Sequence, residues 1–486
     1  MGTTSMLLAA CAATLMCCIS AIRVTAATID DERKARADAI ARTLAAIDQE
    51  LAANGGSFEA WGAKLKAFRD DVRQVIARAR PVKGNFNISS PEKDLLLLDT
   101  LDGLDADHQV FKAVLHLDRQ LKARGIDLIF LPIPDKGAVY PEVLSDNVPA
   151  DGTVAIQVKH LLKKLLENDV ECIDMYNVYR DFRRQTGGKV PLYYESQDIH
   201  WRNKGAQLCG QTIAERLKRY GFVQQALAAG NPFKGEPFKR EGGVKADNVL
   251  AVVNTKTDSH YVDVDDSPVV VTADSYGTYC FLLKDAEGKT HDGHLTGQVA
   301  LNIGVPVTYL HKQGLWGDMP VFLAQQEQQK GYLKGRRVIV FTCIARSFKL
   351  SKWPIVDLPA TSGDRAATGP AAADGPVIAR GVVNEVSPRP AKGADYPNYV
   401  MSVYVTKLVD EKGQVVGAGD AVVRILAMKN RQILPIAAVQ TGAALKLKLL
   451  PLSVGEAQYP RVMTGVLPTA DLNIKKRAYW AEVAEP

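Results

Sequence analysis

The chain has 486 residues, more than one ordinary hydrophobic core accommodates, and this length predicts two or three domains. With 47% hydrophobic and 23% charged residues, the composition is that of a folded globular protein and excludes an intrinsically disordered one. The net charge is only +6 and no dense run of Lys and Arg occurs, so we expect no nucleic-acid partner.

The N-terminal 26 residues have the pattern of an export signal. An apolar run from Met6 to Ile22 is followed by the small residues around Ala26 and then by an acidic stretch. We therefore predict a signal peptide over residues 1–26 and a periplasmic protein. The alternative is an uncleaved membrane anchor, because no Lys or Arg precedes the apolar run.

Residues 27–90 form the next predicted unit. Ala, Arg, Leu and Glu dominate from Asp31 to about Arg80, and apolar residues recur at helical spacing. An Asn-Gly-Gly-Ser sequence interrupts this run, and its Ser57 is a good N-cap for a second helix. This pattern predicts a helical hairpin.

Residues 91–357 alternate between strand and helix patterns, which predicts a parallel sheet flanked by helices and hence an α/β domain. Strands are predicted over Ile126–Leu131, Val170–Met175, Val269–Thr272 and Arg337–Cys343, and helices over Val110–Arg124, Val154–Glu167 and Ala206–Tyr220, with another starting in Tyr279–Lys284.

The segment 358–376 is rich in Ala, Gly, Pro, Thr and Asp and reads as a linker. After it, residues 377–486 contain short alternating strands separated by Gly and Pro turns, which predicts a small all-β barrel or sandwich. Tyr396, Tyr399 and Tyr404 near strand starts make a carbohydrate-binding role one hypothesis; a plain structural role is the other.

Asp198 and His200, in the sequence Q-D-I-H-W, carry the clearest chemical signal. In an extended segment the side chains of residues i and i+2 point the same way, so the carboxylate can reach the imidazole. A carboxylate on one ring nitrogen fixes the tautomer, and the other nitrogen then serves as a general base. The alternative is that Asp198 and His200 form an ordinary hydrogen-bonded pair in a loop, without a catalytic role.

Ser275 follows the apolar strand V-V-V-T-A and supplies the third part of a nucleophilic triad. A serine hydroxyl is a poor nucleophile without an adjacent base, which His200 would provide. With a helix expected to follow, the backbone N–H groups of Ser275, Tyr276 and Gly277 become the oxyanion donors that we expect. The alternative is that Ser275 only caps that helix.

These motifs together resemble the SGNH hydrolase-like domain of alginate O-acetyltransferases. The Asp-x-His-Trp sequence followed by a helix and later by a strand ending in serine is similar to that family. So are the strand and Pro-Lys turn in Leu131–Lys136, the segment Val307–Phe322 and the last strand in Val338–Ser347. The resemblance covers about residues 95–353.

The order of the motifs supports this resemblance, because ordinary SGNH esterases carry the serine first and here it comes after Asp-x-His. The resemblance implies O-acetylation of an exported polysaccharide in the periplasm. It also implies a membrane-bound acyltransferase as acetyl donor and an exopolysaccharide synthesis and export complex. The family's Gly two residues before the serine is Ala273 here, and only Arg346 remains of its late Glu-Arg sequence, as a substrate or active-site support.

Several polar and aromatic residues leave two interpretations open. Lys136 is either a contact for an acidic substrate or a solvated turn residue, and Tyr276 either lines a substrate groove or packs inside. Tyr193 and Tyr194 could stack on a sugar ring or belong to the core. His291 and His294 lie in a polar stretch and are interpreted as surface-loop residues rather than as a metal pair.

Four cysteines remain after loss of the signal: Cys172, Cys209, Cys280 and Cys343. They lack metal-site spacing, so they either form disulfides or are small core residues.

With no nucleotide motif present, we predict no cofactor and no metal. The sequence predicts an acetyltransferase acting through an acetyl-serine. The alternatives are an esterase or deacetylase with the same triad and a non-catalytic polysaccharide-binding protein.

Overall fold

The computed structural model describes residues 27–84, 86–88, 90–99, 108–195, 198–240, 246–280, 283–284, 290–311, 316–359, 376–387, 389–390, 398–416, 419–451, 454–455, 458–459, 463–464 and 478–484. The predicted signal peptide, most of the predicted linker and Tyr396 lie outside these residues. No helix among them is both long and apolar enough to cross a lipid bilayer.

The N-terminal segment is helical, as its composition predicts. Its helices are α1 (Ile29–Ala53), α2 (Phe58–Lys64) and α3 (Lys66–Ile76). The Thr28 hydroxyl accepts from the N–H of Asp31, and the Ser57 hydroxyl accepts from the N–H of Ala60, so both caps follow from the local sequence. Apolar side chains of all three helices join the core on one face of the central sheet.

The α/β region contains the following elements in chain order: α4 (Pro91–Asp94), α5 (Leu96–Asp99), α6 (Gln109–Lys122), β1 (Asp127–Ile133), α7 (Lys136–Val139), a 3-10 turn (Pro141–Val143), α8 (Ile156–Glu167), β2 (Glu171–Cys172), α9 (Met175–Gln185), α10 (Asn203–Leu217), α11 (Gly221–Ala228), β3 (Phe233–Arg240), β4 (Asp247–Asn254), β5 (Ser259–His260), β6 (Val269–Ala273), β7 (Leu283–Lys284), β8 (Thr290–His291), α12 (Leu295–Ile303), β9 (Thr308–His311), a 3-10 turn (Trp316–Asp318), α13 (Met319–Lys330), β10 (Val338–Ile344) and α14 (Ser347–Leu350).

Five of these strands form one parallel sheet in the order β2-β1-β10-β6-β9. Alternate residues of β1 face opposite sides, so Leu128 and Phe130 join one core while Ile129 and Leu131 join the other. A parallel sheet covered on both faces needs apolar strands throughout, and β6 and β10 are buried at every position. The predicted α/β fold is confirmed.

The C-terminal region is all-β. Its strands are β11 (Val377–Val386), β12 (Tyr399–Asp410), β13 (Asp420–Lys429), β14 (Gln432–Ile433), β15 (Ala444–Pro451), β16 (Met463–Thr464) and β17 (Ala478–Val483), with a 3-10 turn at Pro435–Ala438. The pairings run β13-β17-β15-β11-β12 and back to β13, which closes a ring of five strands around an apolar core. Of the two predicted β architectures, the region has the barrel.

Candidate active site

Asp198 and His200 lie together at the entry to helix α10. The bridge between Tyr193 and Trp201 and the full burial of the Trp201 ring fix the chain on both sides of the pair. Asp198 Oδ1 lies 2.7 Å from His200 Nδ1 and also accepts the backbone N–H of His200 at 2.9 Å. The carboxylate therefore holds both the ring and the backbone of the same histidine.

Ser275 lies on the opposite side of that imidazole. Strand β6 runs between β10 and β9 and delivers the serine to the carboxyl edge of the sheet, where ligands of open α/β sheets bind. Ser275 Oγ lies 3.0 Å from His200 Nε2. With the Nδ1 proton directed to Asp198, Nε2 can accept the serine proton, which is the arrangement that nucleophilic acyl transfer requires.

The carboxylate is maintained in its ionised form. Burial alone would raise the pKa of Asp198, but hydrogen bonds from the His200 ring and backbone and from Tyr279 outweigh it and hold the pKa well below its usual range. The side chains of Asp198 and His200 are 12% and 21% exposed, so the pair is shielded but reachable from solvent. An ionised partner stabilises the imidazolium that forms when His200 takes a proton.

The segment after Ser275 differs from the prediction. Residues 274–280 form a tight turn, and Leu283–Lys284 pairs with Thr290–His291 as a short hairpin, so the expected helix in Tyr279–Lys284 was wrong. A short apolar run such as Y-C-F-L-L fits strand or helix equally well by periodicity. Within the described residues that directly follow it, Ser275 is thus not the cap of a helix.

The backbone of this turn uses two of the N–H groups that we expected to serve as oxyanion donors. The N–H of Tyr276 donates to Asp274 Oδ1 at 2.9 Å, and the N–H of Gly277 donates to the Asp274 carbonyl at 3.1 Å. Asp274 is 2% exposed, and burial raises the pKa of its carboxyl. In this structure, the two groups stabilise the turn rather than point to a substrate.

Two tyrosines of the same turn enclose the imidazole. The Tyr276 ring lies 4.8 Å from the His200 ring, and its hydroxyl donates to the Ile199 carbonyl at 2.6 Å. The Tyr279 ring stacks on His200 at 4.9 Å and 16°, and its hydroxyl donates to Asp198 Oδ2 at 3.0 Å. Tyr276 is 1% exposed, so of its two interpretations packing is the one observed. Sequence reasoning missed Tyr279, whose i+4 spacing from the serine was the only signal.

Lys136 fits neither of its two interpretations, because it is buried beneath the pair. Its Nζ donates to the carbonyls of Asn87 at 2.8 Å and Asp198 at 3.3 Å and lies 4.3 Å from the centre of the Phe86 ring. Burial lowers the pKa of Lys136 to about 8. The side chain is 5% exposed, so Lys136 supports the Asp198 backbone instead of facing substrate.

Arg346, like Lys136, is buried, and it forms an ion pair with Asp94. Next to it, burial raises the pKa of Asp135 to about 8 although the Arg346 charge opposes that shift. A cavity of about 10 Å³ separates these groups from Ile199 and Tyr276, which is room for about one water molecule. Arg346 is 8% exposed and thus an internal support of the site in this structure.

The interpretation of His294 as a surface-loop residue was wrong. Its side chain is fully buried and bonds Asp292 through Nδ1 and Thr296 through Nε2, with Asp263 Oδ2 3.3 Å from Nε2. Burial alone would lower the pKa of His294, but the two carboxylates outweigh it and raise the pKa to about 10. Asp292-Gly-His294 thus repeats the Asp-x-His contact in a place that substrate cannot reach. His291 is half-buried and stacks on Phe238 at 4.1 Å.

The remaining open alternatives are resolved by burial. Tyr193 and Tyr194 are both fully buried, which makes them core residues rather than a sugar platform. All four cysteines of the described chain are buried thiols without a disulfide partner, so they are small core residues. Across the residues with described positions, no group of three His, Cys, Asp or Glu side chains could hold a metal ion.

Part of the chain matches a known protein family. Residues 101–256, which are 156 of the 486 residues, match the family model described as SGNH hydrolase-like domain, acetyltransferase AlgX. This segment includes Asp198 and His200 and ends before Ser275. No curated protein matches the chain.

Several solved structures are similar to the chain, and three proteins among them serve as examples. The O-acetyltransferase domain of Pseudomonas putida AlgJ has a TM-score of 0.36 and 17% identity, covering 55% of this chain and 88% of that one. Pseudomonas aeruginosa AlgX has a TM-score of 0.39 and 14% identity, and the match covers 71% of this chain and 86% of that one. Bacillus cereus PatB1 has a TM-score of 0.31 and 13% identity, and the match covers 49% of this chain and 86% of that one. Over residues 101–256, the chain is thus similar to the SGNH hydrolase-like domain of acetyltransferase AlgX.

Proposed function

We propose that this protein O-acetylates hydroxyl groups of an exported polysaccharide through a Ser275 ester. The observation that carries the proposal is the continuous contact from Asp198 through His200 to Ser275 at 2.7 and 3.0 Å. The family match to an acetyltransferase domain supports transfer of an acetyl group over hydrolysis.

The first half-reaction loads the enzyme. His200 Nε2 takes the Ser275 proton as the serine oxygen attacks the acetyl carbonyl carbon of the donor. The bond between that carbon and the donor's leaving oxygen breaks, and the leaving oxygen takes the proton from His200. Asp198 stays ionised throughout and stabilises the transient imidazolium. The products are acetyl-Ser275 and the deacetylated donor.

The second half-reaction transfers the acetyl group from Ser275 to the acceptor. A sugar hydroxyl gives its proton to His200 Nε2 and its oxygen attacks the ester carbonyl carbon. The Ser275 oxygen leaves and takes the proton back, which regenerates the free enzyme. Water in place of the sugar hydroxyl would give the hydrolase that shares the triad, so the acceptor decides between the two activities.

The decisive experiment is intact-mass analysis of the protein after incubation with an activated acetyl ester such as p-nitrophenyl acetate. We expect one acetyl adduct on the wild type and none on Ser275→Ala. An oligosaccharide acceptor should discharge the adduct and gain an O-acetyl group. Discharge to water alone would establish the esterase, and an equal adduct on Ser275→Ala would overturn the covalent role of this serine.

The cellular context in this proposal comes from the N-terminal sequence and the family resemblance. An export signal over residues 1–26 would deliver the chain to the periplasm, where a membrane-bound acyltransferase would supply the acetyl group as part of an exopolysaccharide synthesis and export complex. Fractionation of cells that produce the full chain tests the location. Recovery of a chain beginning near Ala27 in the periplasmic fraction is the expected result.

The β-barrel is proposed to bind the same polysaccharide, but not through the predicted tyrosines. Tyr399 is 6% exposed, and the Tyr404 hydroxyl donates to Asp420 at 2.7 Å. The barrel instead has a cavity of about 1080 Å³ whose lining includes the half-buried Tyr459 and three cationic side chains: Arg380, Lys429 and Lys446. Tyr459→Ala should weaken retention of the full chain on immobilised polysaccharide, with acetyl-Ser275 formation unchanged.

A further inference from the structure

Tyr279 contacts both members of the Asp198–His200 pair with different parts of one side chain. Its hydroxyl donates to Asp198 Oδ2 at 3.0 Å, while the other carboxylate oxygen, Oδ1, faces His200 Nδ1 at 2.7 Å. Its ring stacks on the imidazole at 4.9 Å. The carboxylate therefore accepts from the ring and the backbone of His200 at Oδ1 and from Tyr279 at Oδ2, and Tyr279 belongs to the turn that carries the nucleophile.

Tyr279 is itself held in place from outside the triad. The Tyr194 ring packs on it at 5.4 Å, and the guanidinium of Arg240 lies 5.9 Å from its ring centre. The Tyr194 hydroxyl in turn donates to Asp247 Oδ2 at 3.1 Å, and Asp247 also accepts the first N–H of helix α10 at Asn203. These contacts hold the Tyr279 ring in the position from which its hydroxyl donates to the carboxylate.

Resting on the proposed function, we propose that Tyr279 is a positioning residue that sets the basicity of His200. A hydrogen bond to a carboxylate withdraws part of its negative charge, and the charge that remains determines how strongly the imidazolium is stabilised. The Tyr279 hydroxyl thus keeps His200 a weaker base than Asp198 alone would make it. It eases return of the proton to the leaving group in each half-reaction.

The experiment is an NMR titration of the His200 ring protons in the whole protein, with Tyr279→Phe beside the wild type and His200→Gln to assign the signal. The Phe ring keeps the stacking contact and removes the hydroxyl that donates to Asp198. We expect the midpoint of the His200 titration to move to higher pH by about half a unit to one unit, since one unit corresponds to about 1.4 kcal/mol. The acidic limb of the pH–rate profile for acetyl-serine formation should move the same way.

The matched control is Tyr404→Phe, which removes another tyrosine hydroxyl that donates to an aspartate, the 2.7 Å contact with Asp420 in the barrel. It should leave the His200 titration unchanged. An unchanged or lowered midpoint in Tyr279→Phe overturns the proposal, even where activity falls, because a merely structural contact would lower activity at all pH values alike. The titration needs no acetyl transfer, so failure of the proposed function would show separately, as no adduct on the wild type.

Discussion

The ammonium of Lys136 donates a hydrogen bond to the backbone carbonyl of Asp198 at 3.3 Å, so a buried cation supports the residue whose carboxylate holds His200. Lys136 is the first residue of α7, which follows the end of β1 after two residues. The Pro-Lys turn noticed in the sequence therefore contributes to the site from inside the fold. Its cation contacts carbonyl oxygens and the face of the Phe86 ring.

Lys136→Met should change the pH dependence of stability. The folded-state pKa of Lys136 is lowered from 10.5 to about 8, so between these values the unfolded chain holds more of this proton than the folded chain. The free energy of unfolding of the wild type should therefore rise across this window relative to the variant, by at most about 1.4 kcal/mol per pH unit. Urea unfolding from pH 7.5 to 10 measures it. Lys352→Met, at an exposed position, should run parallel to the wild type.

Asp198→Asn should abolish most of the acetylation while the protein stays folded. The amide leaves a similar shape but favours the wrong imidazole tautomer, which costs about 10⁴-fold in turnover where it has been tested in such triads. The rate of acetyl-serine formation from an activated ester measures the effect. Asp357→Asn is the matched control, because Asp357 Oδ1 lies 2.8 Å from His116 Nε2 at an exposed site. Equal loss in both variants would contradict a specific role for Asp198.

Gly277→Ala should destabilise the turn over residues 274–280, and adding Ala273→Gly should partly restore the lost stability. A Cβ at position 277 would overlap the Ala273 Cβ and the Tyr309 hydroxyl. Overpacking of this kind costs about 1–3 kcal/mol. The free energies of unfolding of both single variants and the double variant form a thermodynamic cycle. We expect a favourable coupling between the two positions, and simple additivity would show that the crowding lies elsewhere.

The four buried cysteines should behave as protected thiols. Burial raises the pKa of Cys172 and Cys343 well above the usual range, which suppresses the reactive thiolate. Iodoacetamide should leave the folded chain from Ala27 onward unmodified and alkylate four thiols once the chain is unfolded without reductant, as intact mass would show. Fewer than four alkylated thiols would mean that a disulfide forms in the protein.

The sequence predicted the α/β fold and a small all-β region because their signals are local. The buried strand expected at Ile126–Leu131 is found at Asp127–Ile133, and the helix expected at Val110–Arg124 is found at Gln109–Lys122. Hydrophobic periodicity and strand–helix alternation decide such elements. The contact between Asp198 and His200 also follows from two adjacent residues, and so it was accessible without the fold.

The features that escaped prediction depend on residues far apart in the chain. His294 lies in a polar sequence, and the carboxylate of Asp263, which contacts its buried ring, is 31 residues away. Lys136 is 62 residues from the carbonyl that it supports, and Tyr279 is 81 residues from Asp198. A pattern of hydrophobicity contains no record of such pairings. His294 was therefore assigned to a surface loop, Lys136 was left open between a substrate contact and a solvated turn residue, and Tyr279 was given no role in the site.

The turn over residues 274–280 supplies the nucleophile, both rings that contact the imidazole and one donor to the carboxylate. These groups are joined by a few peptide bonds, so a small rotation of the turn would displace all of them together. The alignment of the catalytic groups therefore depends on the conformation of one short stretch of backbone, and a substitution anywhere in it would affect the nucleophile, the imidazole and the carboxylate at the same time.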